Sequence, residues 1–263
     1  MALIRMDHVA ETTKVNLPLN IILPDPGLIK NIPVSKRKVL YLLHGLSDDS
    51  SAWQRFTSIE VYARQYGLVV VMPSVGRSFY VNQPNGQAYF AYLTEELPDY
   101  LEAVFGIKPR RENTLIAGNS MGGYGAIKAA LLFPERYFAA ASFSGVLSLA
   151  IMNTHTAGKR QDEFSMLFGD LNKLNGSEHD PAVWLQRASR NPQALPGLYI
   201  SCGRQDDLYP LHNVFINACQ KLDVPVDAYE EDAGHTWLFW DRQIQRFLAQ
   251  VLPGDLETQE KHG

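Results

Sequence analysis

The sequence predicts an α/β protein in which a mainly parallel central sheet carries helices on both faces. Short, continuous apolar runs alternate with helical patterns along most of the chain. Such runs are typical of strands buried on both faces, and their alternation with helices favours parallel pairing. Of the 263 residues, 46% are hydrophobic and 20% are charged, which is typical of a globular protein with a sizeable core.

The predicted strands begin with two extended stretches, at about Ile4–Ala10 and Val15–Leu23, which precede any helix and could pair as an antiparallel edge. Six further strands are predicted from apolar runs that are often β-branched or aromatic. They lie at Val39–Leu43, Leu68–Met72, Thr114–Ala117, Phe138–Phe143, Leu198–Ser201 and Val226–Glu230.

The segments between these strands have helical patterns. The predicted helices are Trp53–Tyr66, Met121–Phe133, Tyr209–Leu222 and Trp237–Leu252. Residues Tyr89–Phe105 also have a helical pattern, but Pro98 lies inside it and is expected to kink or divide the helix.

A polar segment at about residues 146–190 interrupts this alternation, and a helix is predicted near its end, at Pro181–Arg190. Long insertions in compact domains often act as lids or binding loops. The chain is therefore expected to form a single domain, residues 1–263, with a cap-like insertion at about 146–190. The insertion's aromatic residues either line pockets or anchor the insertion to the domain; they are Phe164, Phe168 and Trp184.

Charge and composition exclude several classes of function. The net charge is −4 and the longest basic cluster is Lys36–Lys38, whereas a nucleic-acid partner would need a wider basic surface. The longest stretch without formal charge, Tyr137–Gly158, contains several Ser and Asn residues, which argues against a membrane span.

The N-terminal residues lack the apolar core of a secretory signal, so a cytoplasmic location is expected. The two cysteines, Cys202 and Cys219, are too few for a disulfide framework and are expected to be reduced.

Residues 118–122, Gly-Asn-Ser-Met-Gly, fit the pattern G-x-S-x-G between a predicted strand and a predicted helix. A nucleophilic serine on such a sharp turn needs small residues on either side, because larger side chains would clash there. Ser120 is therefore the candidate nucleophile. Gly123 and Gly125 are expected to let the following helix pack close to the sheet.

A serine hydroxyl is a weak nucleophile and needs a base, with a third group to orient that base. Among the seven histidines, His235 follows the last predicted strand on a loop beside Gly234. The chain order of an α/β-hydrolase is Ser, then acid, then His, and His235 completes that order on a loop at a strand end.

The acid should lie between Ser120 and His235 in the chain, also at the end of a strand. Asp206 and Asp207 follow the strand that ends at Ser201, and either could instead cap the helix at Tyr209. Spacing favours Asp206 only slightly, and Asp232 is a weaker candidate because it shares the loop of His235.

The negative charge that develops on the carbonyl oxygen during the reaction needs preorganised hydrogen-bond donors. The backbone N–H of Met121, at the start of a helix, is one candidate. The backbone N–H of Leu46 is the other, since it follows Gly45 in the loop after a buried strand. His44 is expected to stabilise this turn rather than to react.

Four segments together resemble the esterase D-like α/β-hydrolases, and most closely their tributyrin esterase branch of short-chain carboxylesterases. The segments occur in order and are VLYLLHGLSDDSSAW, LIAGNSMGGYGAIKAALLFPERYFAAASFSG, CGRQDDLY and AGHTWLFW. The resemblance implies the α/β-hydrolase fold. The family's Gly-x-x-Asp pattern implies Asp206 as the acid, beside Ser120 as nucleophile, His235 as base, and backbone donors at Leu46 and Met121.

The resemblance implies a cytoplasmic serine carboxylesterase that hydrolyses small short-chain acyl esters through an acyl-enzyme, without a metal or organic cofactor. Its partner would be a small-molecule ester; no nucleic-acid or membrane partner is expected, and formation of a homo-oligomer stays open. Alternatives are an acyltransferase, a thioesterase similar to S-formylglutathione hydrolases, or a feruloyl or acetyl-sugar esterase. S-formylglutathione hydrolases usually carry Ser-Gly-Leu-Thr at residues 44–47, where this chain has His-Gly-Leu-Ser.

Overall fold

An eight-stranded sheet forms the centre of the computed structural model, which describes residues 1–30, 32–33, 36–84, 86–155 and 160–252. The strand order is β1-β2-β4-β3-β5-β6-β7-β8. The strands are β1 (Ala2–Ala10), β2 (Val15–Leu23), β3 (Val39–Leu43), β4 (Val69–Pro73), β5 (Thr114–Asn119), β6 (Ala139–Phe143), β7 (Gly197–Gly203) and β8 (Asp227–Glu231).

Strands β3 to β8 pair in parallel, whereas β1 pairs with β2, and β2 with β4, in antiparallel fashion. The mainly parallel sheet and the antiparallel N-terminal edge are both as predicted. Every residue of β3, β4, β5 and β6 is buried, which agrees with their continuous apolar sequences.

The helices are α1 (Pro26–Ile29), α2 (Ala52–Phe56), α3 (Ile59–Tyr66), α4 (Tyr89–Ala91), α5 (Leu97–Phe105), α6 (Met121–Leu132), α7 (Leu149–His155), α8 (Gln161–Phe168), α9 (Pro181–Ala188), α10 (Tyr209–Lys221) and α11 (Trp237–Val251). Helices α2, α3 and α11 bury their apolar residues on one face of the sheet, and α5, α6, α9 and α10 on the other. Helices thus cover both faces, as predicted.

The prediction of one helix at Trp53–Tyr66 was wrong, because two side chains break it into α2 and α3. Thr57 is extended, and its hydroxyl donates to the Trp53 carbonyl oxygen. The next backbone N–H, of Ser58, donates to the Asp241 carboxylate on α11 at 2.9 Å. This last contact is long-range and cannot be read from the local helical pattern.

The effect of Pro98 differs from a simple kink. A π-helical turn, Tyr92–Glu96, joins α4 to α5, and Pro98 lies in the first turn of α5. Pro98 has no N–H to donate to the carbonyl oxygen of Thr94, and that oxygen accepts from the Arg136 guanidinium instead. The helical path therefore continues through residues 89–105 with its hydrogen bonding rearranged.

The segment at residues 146–190 carries α7, α8 and α9, so the helix predicted near its end is present. Trp184 of α9 is buried, packs against the ring of Tyr124 on α6 at 5.0 Å between centroids, and donates from Nε1 to the Glu178 carbonyl oxygen at 2.7 Å. Phe168 of α8 lies 5.4 Å from the ring of Phe79. Trp184 and Phe168 therefore anchor this segment to the domain.

Among the described helices, none is long and apolar enough to cross a membrane. Cys202 and Cys219 are both buried and free.

Candidate active site

Ser120 stands on a sharp turn between β5 and α6. Its backbone has φ 53° and ψ −117°, a left-handed conformation that non-glycine residues rarely adopt. Two bonds hold this turn against the sheet: the Ser120 N–H donates to the Phe143 carbonyl oxygen at 2.9 Å, and the Val146 N–H donates to the Ser120 carbonyl oxygen at 3.3 Å.

The two glycines of the G-x-S-x-G pattern allow backbone segments to approach each other closely. A Cβ on Gly118 would lie 2.5 Å from the Gly122 carbonyl oxygen, and one on Gly122 would lie 2.8 Å from the His44 carbonyl oxygen. Gly123 lies against Ser142 of β6, as expected, whereas Gly125 faces the ring of Tyr80 rather than the sheet. The glycines thus pack the turn against the loop after β3 as well as against the sheet.

Asp206 and His235 meet at the carboxyl ends of β7 and β8. His235 Nδ1 lies 2.8 Å from Asp206 Oδ2, and Asp206 Oδ1 accepts from the Leu208 N–H at 2.8 Å. The Asp206 side chain is fully buried and the His235 side chain is 36% exposed. By contrast, Asp207 is exposed, and Asp232 is 78% exposed and pairs with Arg204 at 3.3 Å.

Backbone hydrogen bonds join the loops that carry these two side chains. The Gln205 N–H donates to the Ala233 carbonyl oxygen at 3.0 Å, and the Arg204 N–H donates to the Glu231 carbonyl oxygen at 2.9 Å. Burial by itself raises the pKa of the Asp206 carboxyl. The hydrogen bond and the charge of His235, and then the hydrogen bond from the Leu208 N–H, outweigh burial and bring that pKa below its usual value.

The loop after β3 is held by His44. The Val75 N–H donates to His44 Nε2 at 3.0 Å, so the imidazole proton lies on Nδ1, which donates to the Gly45 carbonyl oxygen at 2.7 Å. In a trans peptide the N–H points opposite to the carbonyl. The Leu46 N–H is therefore directed away from His44, and Leu46 lines the same cleft as Ser120.

The first-turn N–H groups of a helix have no acceptor within the helix, so the N–H of Met121, the first residue of α6, is available beside Ser120. The close approach of Gly122 to His44 brings the start of α6 and the Leu46 loop together. Leu46 therefore lines the same cleft as Ser120, and Met121 follows Ser120 directly in the chain.

A cleft of about 650 Å³ contains Ser120, His235 and Leu46 in its wall. One side of the cleft is apolar, and the insertion and the loop after β4 supply it; its side chains are Phe79, Val146, Met152 and Phe164. The described part of the chain holds no group of three or more His, Cys, Asp or Glu side chains arranged to bind a metal ion.

Three residues near this site were missed by sequence reasoning. Tyr80 donates from its hydroxyl to the His44 carbonyl oxygen at 3.2 Å. Trp240 Nε1 donates to Ser144 Oγ at 3.1 Å, over a separation of 96 residues. No local pattern marks these contacts, although Ser144 directly follows a predicted strand.

Comparisons with known proteins show the family of the chain. A family model for esterases, whose description reads "Putative esterase", matches residues 10–251. The chain belongs to this esterase family. It is a carboxylic ester hydrolase, and its substrates are small-molecule esters.

The esterase is also similar to individual relatives. It is 28% identical over 254 residues to an acetyl esterase of Caldicellulosiruptor saccharolyticus, covering 93% of this chain and 96% of the relative. A substrate-bound fluorophosphonate-binding serine hydrolase of Staphylococcus aureus is 33% identical, with a TM-score of 0.86 over 95% of this chain and 98% of that one. An S-formylglutathione hydrolase of the same species is 33% identical, with a TM-score of 0.85 and the same coverage. The fold is therefore the α/β-hydrolase fold, as predicted.

Proposed function

We propose that this esterase hydrolyses short-chain acyl esters with Ser120 as nucleophile, His235 as general base and Asp206 as the group that orients the base. The observation that carries the proposal is the 2.8 Å contact between His235 and the buried Asp206, in the cleft whose wall includes Ser120. Nucleophile, orienting acid and base then follow the chain order of α/β-hydrolases.

In the first step, Ser120 Oγ attacks the ester carbonyl carbon, and its proton passes to Nε2 of His235. Asp206 accepts from Nδ1, which keeps Nε2 free to act as base and stabilises the imidazolium that forms. The backbone N–H groups of Leu46 and Met121 then stabilise the negative charge on the carbonyl oxygen.

The tetrahedral intermediate collapses when His235 returns the proton to the leaving alcohol, which leaves an acyl group on Ser120. A water molecule, deprotonated by His235, attacks this acyl-enzyme through the same steps and releases the carboxylic acid. As proposed, the reaction uses only side chains of this chain, backbone donors and water.

Two buried rings in the apolar wall support a short acyl group. Phe79 and Phe164 are each 1% exposed and meet edge to face at 5.8 Å, so they close the apolar side of the cleft. The similarity to a relative named acetyl esterase agrees with a small acyl group. We extend the proposal to a cap role for residues 146–190 in a single domain, and to action in the cytoplasm.

Substitution of the nucleophile tests the proposal. Ser120→Ala is expected to reduce hydrolysis of p-nitrophenyl acetate and butyrate by at least about 10³-fold, because the attacking atom is lost. A fluorophosphonate probe should label Ser120 in the wild type, as located by peptide mass spectrometry, and should not label the variant. An active, correctly folded Ser120→Ala protein, or labelling at another serine, would overturn the proposal.

A thioesterase similar to S-formylglutathione hydrolases is the second candidate, favoured by the solved structure of that name at 33% identity. The same groups would attack a thioester carbonyl. Comparison of kcat/KM for S-formylglutathione with that for p-nitrophenyl acetate distinguishes the two. A ratio well above one would replace the oxoester assignment with the thioester one.

A further inference from the structure

Two adjacent aromatic residues in the loop after β4, Phe79 and Tyr80, both have a strained backbone. Each has φ 51°, a region that bulky residues rarely adopt, and both side chains are fully buried. Such strain persists only where the surroundings hold the backbone in place, and it is concentrated at functional sites. These two residues are therefore candidates for a role in the proposed active site.

The two rings contact different parts of the site. Phe79 lines the apolar side of the cleft. Tyr80 instead packs against α6 and the loop after β3: a Cβ on Gly125 would lie 2.7 Å from Tyr80 Cγ, and the rings of Tyr80 and His44 are 5.9 Å apart. Gly125 therefore leaves the space that the Tyr80 ring fills.

The loop from Val75 to Tyr80 contacts His44 at both of its ends. The Val75 N–H donates to His44 Nε2 at 3.0 Å, and the Tyr80 hydroxyl donates to the His44 carbonyl oxygen at 3.2 Å. Within the loop, the Tyr80 N–H donates to Ser78 Oγ and the Val81 N–H donates to the Ser78 carbonyl oxygen, each at 3.1 Å. The loop thus fixes both the side chain and the backbone of His44.

Fixing His44 orients the two peptide groups that follow it. The His44 carbonyl, which accepts from Tyr80, belongs to the peptide between His44 and Gly45. The next carbonyl, of Gly45, accepts from His44 Nδ1 at 2.7 Å. The N–H of that second peptide is the Leu46 donor. Because a peptide group is planar, the direction of this N–H follows from the two bonds.

We propose that Tyr80 is a positioning residue for the Leu46 oxyanion donor. Its hydroxyl fixes the His44 carbonyl, and its ring is held against Gly125. The inference rests on the proposed function, in which the Leu46 N–H stabilises the oxyanion. A donor that is in place before the reaction needs no reorganisation when the charge develops. Loss of the Tyr80 hydroxyl should therefore weaken binding of the transition state more than binding of the ester.

Tyr80→Phe removes only the hydroxyl. For p-nitrophenyl acetate we expect kcat to fall about 10-fold and KM to change less than about twofold, since the donor itself is retained and only its position is affected. The matched control is Tyr199→Phe. Tyr199 is also buried and donates to Gln243 Oε1 at 2.8 Å, but it lies on the opposite face of the sheet. Its kcat and KM should stay within about twofold of the wild type.

Inhibition by an aryl trifluoromethyl ketone gives a readout that loss of packing would not move. Ser120 Oγ adds to the ketone carbon, its proton passes to His235 Nε2, and the carbonyl oxygen becomes an oxyanion that needs the same backbone donors. The inhibition constant should therefore rise about 10-fold in Tyr80→Phe, in parallel with the fall in kcat/KM. A loss of stability alone would leave this constant unchanged in the folded protein.

Gly125→Ala tests the same contact from the other side of the ring. The added methyl would overlap Tyr80 Cγ, so the ring has to shift and its hydroxyl moves relative to His44. We expect kcat to fall and the inhibition constant of the ketone to rise, as in Tyr80→Phe. The double variant should be no more than about twofold less active than Gly125→Ala, since residues that act through one contact are not additive.

An inhibition constant within about twofold of the wild type in folded Tyr80→Phe would overturn the inference, as would an equal loss of kcat in Tyr199→Phe. A double variant whose loss is the product of the two single losses would also contradict it. Thermal melts followed by circular dichroism verify that the variants are folded. Failure of the proposed function is a separate result, because it appears as activity retained by Ser120→Ala.

Discussion

Around Ser120 the close contacts are between backbone atoms, whereas the inserted segment over the cleft is attached mainly by aromatic side chains. Gly118 and Gly122 let the elbow approach the strand ends closely enough that a single Cβ would overlap backbone atoms. The insertion instead rests on the rings of Trp184 and Phe168, which pack against Tyr124 and Phe79.

This difference separates two tasks. Contacts between backbone atoms leave little freedom, and therefore suit groups that must stay within a fraction of an ångström of a reacting atom. Side-chain packing changes with each substitution and suits the wall that selects the acyl group. Four substitutions test whether backbone contacts determine the catalytic rate while side-chain packing determines the selectivity for the acyl group.

The largest effect is expected for Asp206→Asn at the strand ends. An amide cannot hold the imidazole in the required tautomer with the same polarity, so kcat should fall about 10³- to 10⁴-fold for p-nitrophenyl butyrate. Asp207→Asn is the neighbouring control, because Asp207 is exposed; its kcat should change less than about threefold. Equal losses in the two variants would refute the choice of acid.

Gly122→Ala tests the backbone contacts directly. The added methyl would overlap the Leu43 carbonyl oxygen, so we expect a loss of about 2–4 kcal/mol of unfolding free energy in urea and a large loss of activity. Gly169→Ala, at the end of α8 in the insertion, meets no atom within 4 Å but has φ 75°. It should cost only about 1 kcal/mol and leave kcat within about threefold. A larger loss of stability and activity in Gly169→Ala than in Gly122→Ala would contradict the comparison.

His44, in the loop after β3, is expected to make the free energy of unfolding depend on pH. Burial lowers the pKa of His44 to about 4, from an ordinary value of 6.5. Between these values the unfolded chain binds a proton that the native protein does not, so stability rises with pH across this window and is lost on acidification. From pH 7 to pH 5 this residue should cost about 2 kcal/mol of unfolding free energy.

The measurement compares urea unfolding of the wild type and His44→Gln at both pH values. The variant should be less stable at pH 7, because two buried hydrogen bonds change, but should lose about 2 kcal/mol less on acidification. An identical acid loss in both proteins would show that His44 takes up its proton in the folded state as easily as in the unfolded state.

The smallest effect is expected in the insertion. Phe164→Leu shortens the wall opposite Phe79, so kcat/KM for p-nitrophenyl octanoate relative to acetate should rise about 3- to 10-fold, with kcat for acetate changed less than about twofold. Met166→Leu is the control on the same helix, since Met166 is 73% exposed. A fall in acetate turnover without a change in the ratio would mean that Phe164 supports the chemistry rather than the selectivity.

Much of the fold follows from local patterns in the sequence. The apolar strands, the antiparallel edge and the helix after Ser120 were predicted because burial on both faces and helical periodicity leave short-range signatures. Local patterns also predicted the site. Glycines surround Ser120, and Asp206 and His235 follow the ends of later predicted strands.

Other features lack such a signature. The break between α2 and α3 involves Asp241 of the last helix. The Thr94 carbonyl oxygen, which Pro98 cannot reach with an N–H, accepts from Arg136, which lies beyond β5. The expectation that Gly125 packs on the sheet was wrong, because Tyr80, from a loop of strained backbone, occupies that space.

The sequence by itself determined the order of strands and helices, the elbow at Ser120 and the strand-end positions of the acid and the base, because these depend on residues a few positions apart. Only the tertiary structure decided which side chains surround that pair. Ser144 and Trp240 are 96 residues apart and meet because β6 and α11 pack on one another. The buried Asp206 carboxylate likewise depends on the donors that the fold brings to it, His235 and the Leu208 N–H.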